Sequence, residues 1–434
     1  MKMNLINIPL ILKGYPIHKA FKTLIKIKNL SISEFEEYIK CKQSEIVNFH
    51  IRHNQFYKEI VKNENWRWED LPVLTKRDIQ VELDVRIPSL IKSYYINKTS
   101  GSTGTPFYFA KDKFCHALTW ANIQSCFSEH QVYGKKQARF YGISQNKKEY
   151  LYDRMKDFLL NRYRFNVFNL SENSFNNWVV NFSKIKYVYL NGYTSVLVLF
   201  SKYLQSKNLV LKEICPSLKK CIVTSEMCFK EDKLLMEKYF GVQVINEYGA
   251  SELDLIAFQN KENEWLINTS TLFVEILDNH NNPVPDGQSG RIVITSLYNK
   301  ANPFIKYDVG DIGSIQRINA KKVILKKLEG RNDDYVILAD GTKAIGLTFY
   351  YVIKSIIEKK NSIKEIKIKQ IEIDFFELEY VSDKVLTNTQ KSEINIEMIK
   401  FLNYEVKVDF KKLNHLKRTK RGKLKQFTSL INKT

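Results

Sequence analysis

The chain has 434 residues, of which 44% are hydrophobic and 26% are charged, which is enough for two or three globular domains with large cores. Its 16 Gly and 9 Pro are too few for long disordered stretches, and its six cysteines show no CxxC spacing, which argues against a zinc site or a disulfide scaffold. The formal charge of +21 admits nucleic acid, an anionic membrane surface or polyanionic small substrates as partners, although a Lys- and Asn-rich background composition without functional meaning is the favoured explanation.

The N-terminal stretch Met1–Leu12 is apolar, but Asn4, Asn7 and Pro9 interrupt it. It has no small-residue cleavage site, and the sequence holds no apolar run of about 18 residues. We therefore expect a cytoplasmic protein with neither a signal peptide nor a membrane span.

Residues 15–70 show the periodicity of helices, and from about residue 78 to 330 apolar β-rich runs alternate with amphipathic helices. Such alternation indicates a layered α/β domain. The pattern predicts buried parallel strands at Tyr187–Leu190, Lys220–Thr224 and Val242–Ile245, separated by helices at Ser195–Ser206 and Lys230–Phe240.

Residues 272–313 read as short strands joined by polar turns, and a compact basic segment follows Gly330. Its β-α-β-β-α-β order predicts a ferredoxin-like α+β domain of about 100 residues. We expect a large N-terminal domain over 1–329, a hinge over 330–334 and a small mobile domain over 335–434. The elements predicted in the small domain are strands Tyr335–Leu338, Ile363–Ile373, Phe375–Val381 and Glu405–Phe410, with helices Leu347–Lys359 and Thr389–Leu402.

The first motif is a loop rich in Gly and hydroxyl side chains that follows the apolar run Ser93–Ile96. Glycines let backbone N–H groups turn toward an anion and hydroxyls add donors, so the loop is a candidate phosphate cradle, while a hairpin loop without a ligand is the alternative. No Gly-Lys-Ser/Thr follows, so it is not a Walker A loop. Its residues are Thr99, Ser100, Gly101, Ser102, Thr103, Gly104, Thr105 and Pro106.

The second motif directly follows the predicted strand Val242–Ile245, and open α/β sheets bind their ligands at such strand ends. The third motif lies further along the chain. In Asn246–Glu252, Tyr248 can stack on a purine and Glu252 can hold Mg²⁺ on phosphates. In Pro303–Asp311, Asp311 can accept hydrogen bonds from ribose hydroxyls. Each could also be an ordinary turn.

Two further motifs complete the set: Gly330–Asp334 at the predicted domain boundary and the basic stretch Leu416–Lys425 near the C-terminus. The second, taken alone, is typical of a solvated or RNA-binding tail.

The ordered set, which spans roughly residues 71–427, resembles the core motifs of the adenylate-forming superfamily of acyl-CoA synthetases, adenylation domains and luciferases. It is most similar to the phenylacetate-CoA ligase group, including the CapK-type proteins of capsule biosynthesis. The supporting stretches are Leu71–Asp78, Thr224–Glu226, Tyr307–Asp311 and Arg418–Lys425.

The resemblance implies a role for each motif. Residues 99–106 would bind the β- and γ-phosphates of ATP, the Tyr248–Gly249 pair would lie at adenine, Ser251 would contact the α-phosphate and Glu252 would hold Mg²⁺. Asp311 and Arg331 would bind the ribose and phosphates, Asp333 or Asp334 would be the hinge, and Lys423 would bridge the substrate carboxylate and the α-phosphate.

Two departures from the family pattern bear on these expectations. Lys306 stands where the family usually has Arg, and a lysine cannot make a bidentate contact. Some relatives carry a Cys/His metal site after the Tyr-Gly motif, but Leu253–Ser270 contains neither residue type, so we expect no zinc.

By this resemblance the function would be ATP- and Mg²⁺-dependent activation of a carboxylic acid as acyl-AMP, followed by transfer to CoA or a carrier protein. An acyl or aminoacyl transferase that modifies a sugar, as in capsule or surface-polysaccharide synthesis, is the alternative. A non-catalytic basic protein that binds nucleotides or nucleic acid is the third, and we expect no specific nucleic-acid partner. The acid and the acceptor stay open; candidate pocket positions are Tyr141, Asn191, Gly192, Tyr193, Ser225 and Ala250.

Overall fold

The computed structural model describes residues 7–63, 65–99, 106–142, 147–331, 335–341, 343–346, 349–350, 353, 363–419 and 422–431. The chain divides into two compact units. The first comprises Met1–Val309 with Ser314–Lys327, and the second comprises Gly310–Gly313 with Leu328–Thr434. The predicted hinge at 330–334 lies mostly outside the described residues and stays a prediction.

The first unit begins with helices that pack on its sheet domain: α1 (Ile8–Leu12), α2 (Ile17–Asn29), α3 (Ile32–His53), α4 (Gln55–Val61) and α5 (Leu83–Arg86). Helix α3 starts at a capping box, in which the Ser31 hydroxyl accepts from the Glu34 N–H and the Glu34 carboxylate accepts from the Ser31 N–H at 2.7 Å. Among the described helices, none is long and apolar enough to cross a bilayer.

A two-stranded antiparallel hairpin, β1 (Tyr94–Lys98) and β2 (Tyr108–Asp112), precedes the large sheet, and helix α6 (Lys113–Glu129) follows it. Helix α2 packs its Ile17, Ala20 and Leu24 against α6. The hairpin leads directly into α6, which α2 anchors, and the predicted phosphate loop joins its two strands.

Eleven strands form the large sheet, in the order β10-β11-β12-β13-β9-β8-β7-β6-β5-β3-β4. Their bounds are β3 (Gln137–Phe140), β4 (Arg162–Phe165), β5 (Tyr189–Tyr193), β6 (Lys220–Thr224), β7 (Gln243–Ala250), β8 (Asp254–Gln259), β9 (Trp265–Ile267), β10 (Leu272–Leu277), β11 (Gly290–Ser296), β12 (Tyr307–Arg317) and β13 (Val323–Arg331).

Strands β3 to β7 are parallel, and five helices accompany them: α7 (Lys147–Leu159), α8 (Glu172–Lys184), α9 (Thr194–Ser206), α10 (Leu211–Ile214) and α11 (Lys230–Phe240). The α/β prediction is confirmed, and β6 and α11 have the predicted bounds. A Cβ at Gly192 would lie 2.5 Å from the Cβ of Phe140, so glycine is required where β5 meets β3.

The second unit contains a four-stranded sheet in the order β18-β17-β16-β19, with helix α12 (Asn388–Leu402) packed on it. The strands are β16 (Ile363–Gln370), β17 (Phe375–Ser382), β18 (Lys407–Lys412) and β19 (Phe427–Ser429), and a separate hairpin pairs β14 (Tyr335–Ile337) with β15 (Lys343–Ile345).

The α+β character of this unit agrees with the prediction, and the predicted strand Tyr335–Leu338 is present as β14. It pairs with β15 in the separate hairpin and not with the four-stranded sheet, in which β16 lies between β17 and an unpredicted strand, β19. Three residues after a basic run give no alternating pattern, so only burial of Phe427 against the sheet reveals this strand. Most of the predicted helix Leu347–Lys359 lies outside the described residues.

Candidate active site

The hairpin β1–β2 carries the candidate phosphate loop. The Thr99 N–H donates to the Phe107 carbonyl at 2.9 Å and closes the neck of the loop. The Thr99 hydroxyl is buried and has no hydrogen-bond partner among the described residues, so it is a donor suited to an anion at this point. Residues Ser100, Gly101, Ser102, Thr103 and Gly104 lie outside the described residues, and their predicted phosphate contacts stay a prediction.

A tight turn between β7 and β8 presents the second motif. A Cβ at Gly249 would lie 2.5 Å from the carbonyl oxygen of Asp254, and Asp254 itself has φ of +68°. The turn therefore needs a glycine on one side and a residue that tolerates a left-handed backbone on the other. It leaves Ser251 exposed and the Glu252 side chain buried.

A buried ion pair fixes this turn to strand β2. Lys111 is fully buried, and its ammonium contacts the Asp254 carboxylate and donates to the Ser251 carbonyl at 3.3 Å. The Thr119 hydroxyl of α6 also donates to Asp254. The strand that leaves the phosphate loop is thus tied directly to the turn that carries Ser251 and Glu252.

The second and third motifs meet at Glu252. The Tyr307 hydroxyl donates to Glu252 Oε1 at 3.0 Å, and both side chains are buried. Leu74 forms an isolated parallel bridge with Tyr307, and the Asp308 N–H donates to the Leu74 carbonyl at 2.8 Å. The stretch Leu71–Asp78 is therefore hydrogen-bonded to the third motif through Leu74.

Lys306 does not take up the bidentate role that an arginine could have there. Its backbone has φ of +45°, and its buried ammonium donates to the Trp68 carbonyl at 3.2 Å. Trp68 also donates its indole N–H to Glu275, a carboxyl whose pKa is raised by burial and lowered in part by the charge of Lys306. The substitution is thus accommodated by a local contact with the segment before Leu71.

Tyr248 is buried in β7, with its ring edge-on to Trp265 at a centroid distance of 6.2 Å. Its predicted position beside adenine stays a prediction.

The candidate acyl-pocket residues gather where parallel strands end. The rings of Tyr141 and Tyr193 lie 4.7 Å apart after β3 and at the end of β5, and the Arg139 guanidinium lies 3.9 Å from the Tyr141 ring centroid. The Thr224 hydroxyl donates to Glu247 at 2.8 Å, and burial raises the pKa of the Glu247 carboxyl. Ligands of open α/β sheets bind outside such strand ends.

Asn191 belongs to the core rather than to this cluster, because its amide donates to the Ile222 carbonyl and accepts from Gln137, both at 3.2 Å. Ser225 adopts φ of +70°, and Glu226 beyond it accepts from the Ser195 N–H at 2.7 Å, at the start of α9. The Thr224–Glu226 stretch therefore also fixes the beginning of a helix.

In the second unit, Lys423 lies on a closed turn. The Thr419 N–H donates to the Lys423 carbonyl at 2.9 Å, and Gly422 has φ of +89°. Arg418, just before the turn, is buried in an ion pair with Glu365 of β16. The described residues on both sides of positions 420–421 are therefore anchored within the second unit, and Lys423 is one of them.

Asp311 lies on β12, half-buried, within the residues Gly310–Gly313 that belong to the second compact unit. Arg331 ends β13, and its side chain lies outside the described residues, as do Asp333 and Asp334. The nucleotide and hinge roles implied for these residues stay predictions.

Two residues near the site were missed from the sequence. Lys111 and Arg86 lie in segments without a motif, and only their burial marks them. The Arg86 guanidinium lies 4.9 Å from the Phe107 ring centroid, and burial lowers its pKa to about 10. Both residues have charged neighbours in the sequence, so no local pattern distinguishes them from exposed cations.

Comparison with known proteins agrees with this geometry. No family model matches the chain. Protein CapK of Staphylococcus aureus is 24% identical over 407 residues, which cover 89% of this chain and 83% of CapK. Phenylacetate-coenzyme A ligase of Aromatoleum evansii is 30% identical over 128 residues, which cover 28% of this chain and 29% of that enzyme.

Solved structures show the same fold at low identity. A 2-hydroxyisobutyryl-CoA ligase in its postadenylation state has a TM-score of 0.66 at 16% identity, covering 93% of this chain and 91% of the ligase. The amide bond synthetase McbA of Marinactinospora thermotolerans has a TM-score of 0.53 at 11% identity, covering 75% of this chain and 66% of McbA.

Fold, motif order and relatives together define the class as the acyl-adenylate-forming ligases. Within that superfamily, the chain is similar in sequence to CapK and to phenylacetate-CoA ligase.

Proposed function

We propose that the protein activates a carboxylic acid with ATP, forming an acyl-adenylate and pyrophosphate, and then transfers the acyl group to CoA or another acceptor. The observation that carries this proposal is the buried hydrogen bond from Tyr307 to Glu252, which joins the second and third motifs. Tyr307 and Glu252 are 55 residues apart in sequence, so the two motifs meet only in the folded chain.

Glu252 suits a magnesium ion that is bound mainly by phosphates. Mg²⁺ usually keeps several waters and takes one or two protein carboxylates plus substrate phosphates. Among the described residues no group of three or more His, Cys, Asp or Glu side chains is placed to hold a metal. A single carboxylate, Glu252, fits an ion that is held mainly by the phosphates of ATP. That ion would supply positive charge to the triphosphate.

The first step brings two anions together. A carboxylate oxygen of the substrate attacks the α-phosphorus of ATP, the bond from that phosphorus to the bridging oxygen breaks, and pyrophosphate leaves. In our proposal Lys423 neutralises the charge that develops on the substrate carboxylate and the α-phosphate, and Ser251 and Thr99 donate to phosphate oxygens. Asp311 would hold the ribose hydroxyls.

In the second step a nucleophile on the acceptor attacks the acyl carbon and loses its proton, and AMP leaves with the bonding electrons. Because Lys423 has no charge left to neutralise on a substrate carboxylate, we propose that it serves the first step alone. Enzymes of several classes use a mobile loop or domain to complete a site for one step only, and we propose this for the small domain that carries Lys423.

An ATP–pyrophosphate exchange assay over a panel of carboxylic acids tests the proposal. Exchange that requires one acid, and that falls about 10² or more in Lys423→Ala, is the expected result. The matched control is Lys425→Ala, two residues along the same basic segment, which should fall far less. Equal modest losses in both variants, or no acid-dependent exchange at all, would reject the assignment of Lys423 or of the reaction.

Chemically supplied acyl-AMP separates the two steps. Lys423→Ala should convert acyl-AMP and CoA to the thioester at close to the wild-type rate. An equal loss in both half-reactions would show that Lys423 is required beyond adenylation.

The extent of the similarity to CapK favours a second acceptor class. It covers 89% of this chain, against 28% for phenylacetate-coenzyme A ligase. We therefore also propose a sugar hydroxyl or amine as acceptor, in cytoplasmic steps of capsule or surface-polysaccharide synthesis. The amide bond synthetase likeness shows that the fold also occurs in an enzyme named for amide formation. Offering CoA, an acyl carrier protein and an amino sugar in parallel, with mass analysis of the products, identifies the acceptor.

A further inference from the structure

Helix α7 is packed with its acidic side inward. Asp157 is buried and contacts Arg162 Nε at 2.5 Å and Arg164 Nη2 at 3.0 Å, and Asp153 contacts Arg164 Nη1 at 2.9 Å. Both arginines belong to β4, the edge strand of the large sheet. The helix is therefore held to the sheet through ion pairs, a reversal of the usual arrangement in which an apolar stripe faces the core.

The apolar residues of α7 consequently face solvent. Leu151, Met155 and Phe158 recur at i, i+4 and i+7, so they form one stripe, and they are 71%, 54% and 84% exposed. Tyr152 and Leu159 extend the stripe and are also exposed. A contiguous exposed apolar patch on a helix marks an interaction surface, whereas single exposed apolar residues do not.

Cationic side chains border this stripe. Lys156 is exposed, with its ammonium 4.2 Å from the Tyr152 ring centroid, and Lys148 is exposed one turn before Leu151. Arg154 lies beside the stripe over the ring of Tyr150. Two of the three carboxylates of α7 are engaged with β4, and the third, Glu149, lies in the first turn, where it stabilises the helix N-terminus.

We propose that α7 is a peripheral docking helix for an anionic lipid bilayer, lying flat with Leu151, Met155 and Phe158 in the boundary between headgroups and acyl chains. An apolar face bordered by lysine and arginine is the composition of helices that bind in the membrane interface. Thirteen residues rise about 20 Å along the helix axis, which suits a helix lying in the interface plane. The formal charge of +21 adds attraction to an anionic surface.

The charges favour this occupant over two others. A nucleic acid would contact the cations but would leave the apolar stripe exposed to water. A second copy docked through the same face would bring two sets of Lys148, Arg154 and Lys156 against each other, because a two-fold interface is self-complementary, and like charges would repel.

Flotation of the full-length protein with vesicles tests the proposal. One set contains about 30 mol % phosphatidylglycerol in phosphatidylcholine, and the other is pure phosphatidylcholine. The wild type should float with the anionic vesicles, bind the neutral ones at least tenfold more weakly, and release at high salt. Leu151→Ser with Phe158→Ser should lower binding to anionic vesicles at least tenfold.

A matched double substitution elsewhere controls for loss of apolar surface. Leu234→Ser on α11 with Ile318→Ser replaces two residues that are 56% and 52% exposed in the same unit, and it should bind as the wild type does. Lys148→Gln and Lys156→Gln should each weaken binding about fivefold, the effect of one basic residue near an anionic surface.

Each other outcome overturns the proposal. Wild-type binding to neutral vesicles that is as strong as to anionic ones would contradict the electrostatic contribution. Equal binding by the two double variants would show that the apolar face of α7 is not the docking surface. No flotation of the wild type, combined with a dimer that Leu151→Ser and Phe158→Ser dissociate in ultracentrifugation, would assign the face to a second copy. Loss of ATP–pyrophosphate exchange in the variant has no bearing on vesicle binding, so this test is separate from that of the proposed reaction.

Discussion

Replacing Lys111 with methionine should destabilise the first unit strongly and disturb the turn that carries Glu252. Methionine keeps most of the stem volume but removes the ammonium that contacts Asp254 and donates to the Ser251 carbonyl. Removing one partner of a buried ion pair typically costs about 3–5 kcal/mol. The Asp254 side chain is 24% exposed and keeps the Thr119 hydroxyl, so the cost should lie near the low end, about 3 kcal/mol.

Tryptophan fluorescence can follow this unit selectively, since all five tryptophans lie in it: Trp66, Trp68, Trp120, Trp178 and Trp265. With an m-value of about 3 kcal/mol/M in urea, the midpoint should fall by about 1 M. The surface pair of Lys322 and Glu264 is the matched control, and Lys322→Met should move the midpoint far less.

A double-mutant cycle with Asp254→Asn isolates the pair. Asparagine has the shape of aspartate and also tolerates the φ of +68° at this position, so the cycle measures charge and hydrogen bonding rather than backbone strain. The combined variant should cost about 1–3 kcal/mol less than the sum of the single variants. Strict additivity, or a Lys111→Met midpoint equal to that of the wild type, would refute the reasoning.

The other predictions concern the site and the response to pH. Tyr307→Phe removes a hydrogen bond to a buried carboxylate, so ATP–pyrophosphate exchange should fall about tenfold or more, and an unchanged rate would show that Glu252 needs no such support. Asp311→Ala should weaken ATP binding in calorimetry by about 1.5–3 kcal/mol, the scale of hydrogen bonds to a charged group, whereas equal affinity would remove the ribose assignment. Burial lowers the pKa of His50 and of His116 to about 4, so the unfolded chain binds more protons than the folded chain between pH 4 and 6.5. Stability of the first unit should therefore be lost as pH falls through that window, by up to about 3 kcal/mol for each histidine, and equal urea midpoints at pH 4.5 and 7 would contradict this.

Local patterns determined the α/β class and several elements. The apolar run of β6 and the amphipathic period of α11 each fit a single kind of element, so their bounds follow from neighbouring residues alone. The order of the motifs along the chain also indicated the family, because that order is a property of the sequence. The strand Phe427–Ser429 gave no such signal, since three residues are too few for a period of two.

Only the tertiary structure decided which side chains meet. Glu252 and Tyr307 are 55 residues apart and Lys111 and Asp254 are 143 apart, and nothing in either neighbourhood specifies the partner. The faces of α7 show the same limit: its sequence gives an apolar stripe and an acidic stripe, and a period of 3.6 does not say which one turns inward. Arg162 and Arg164 on the edge strand decide it, because buried carboxylates are stable only where such partners neutralise them.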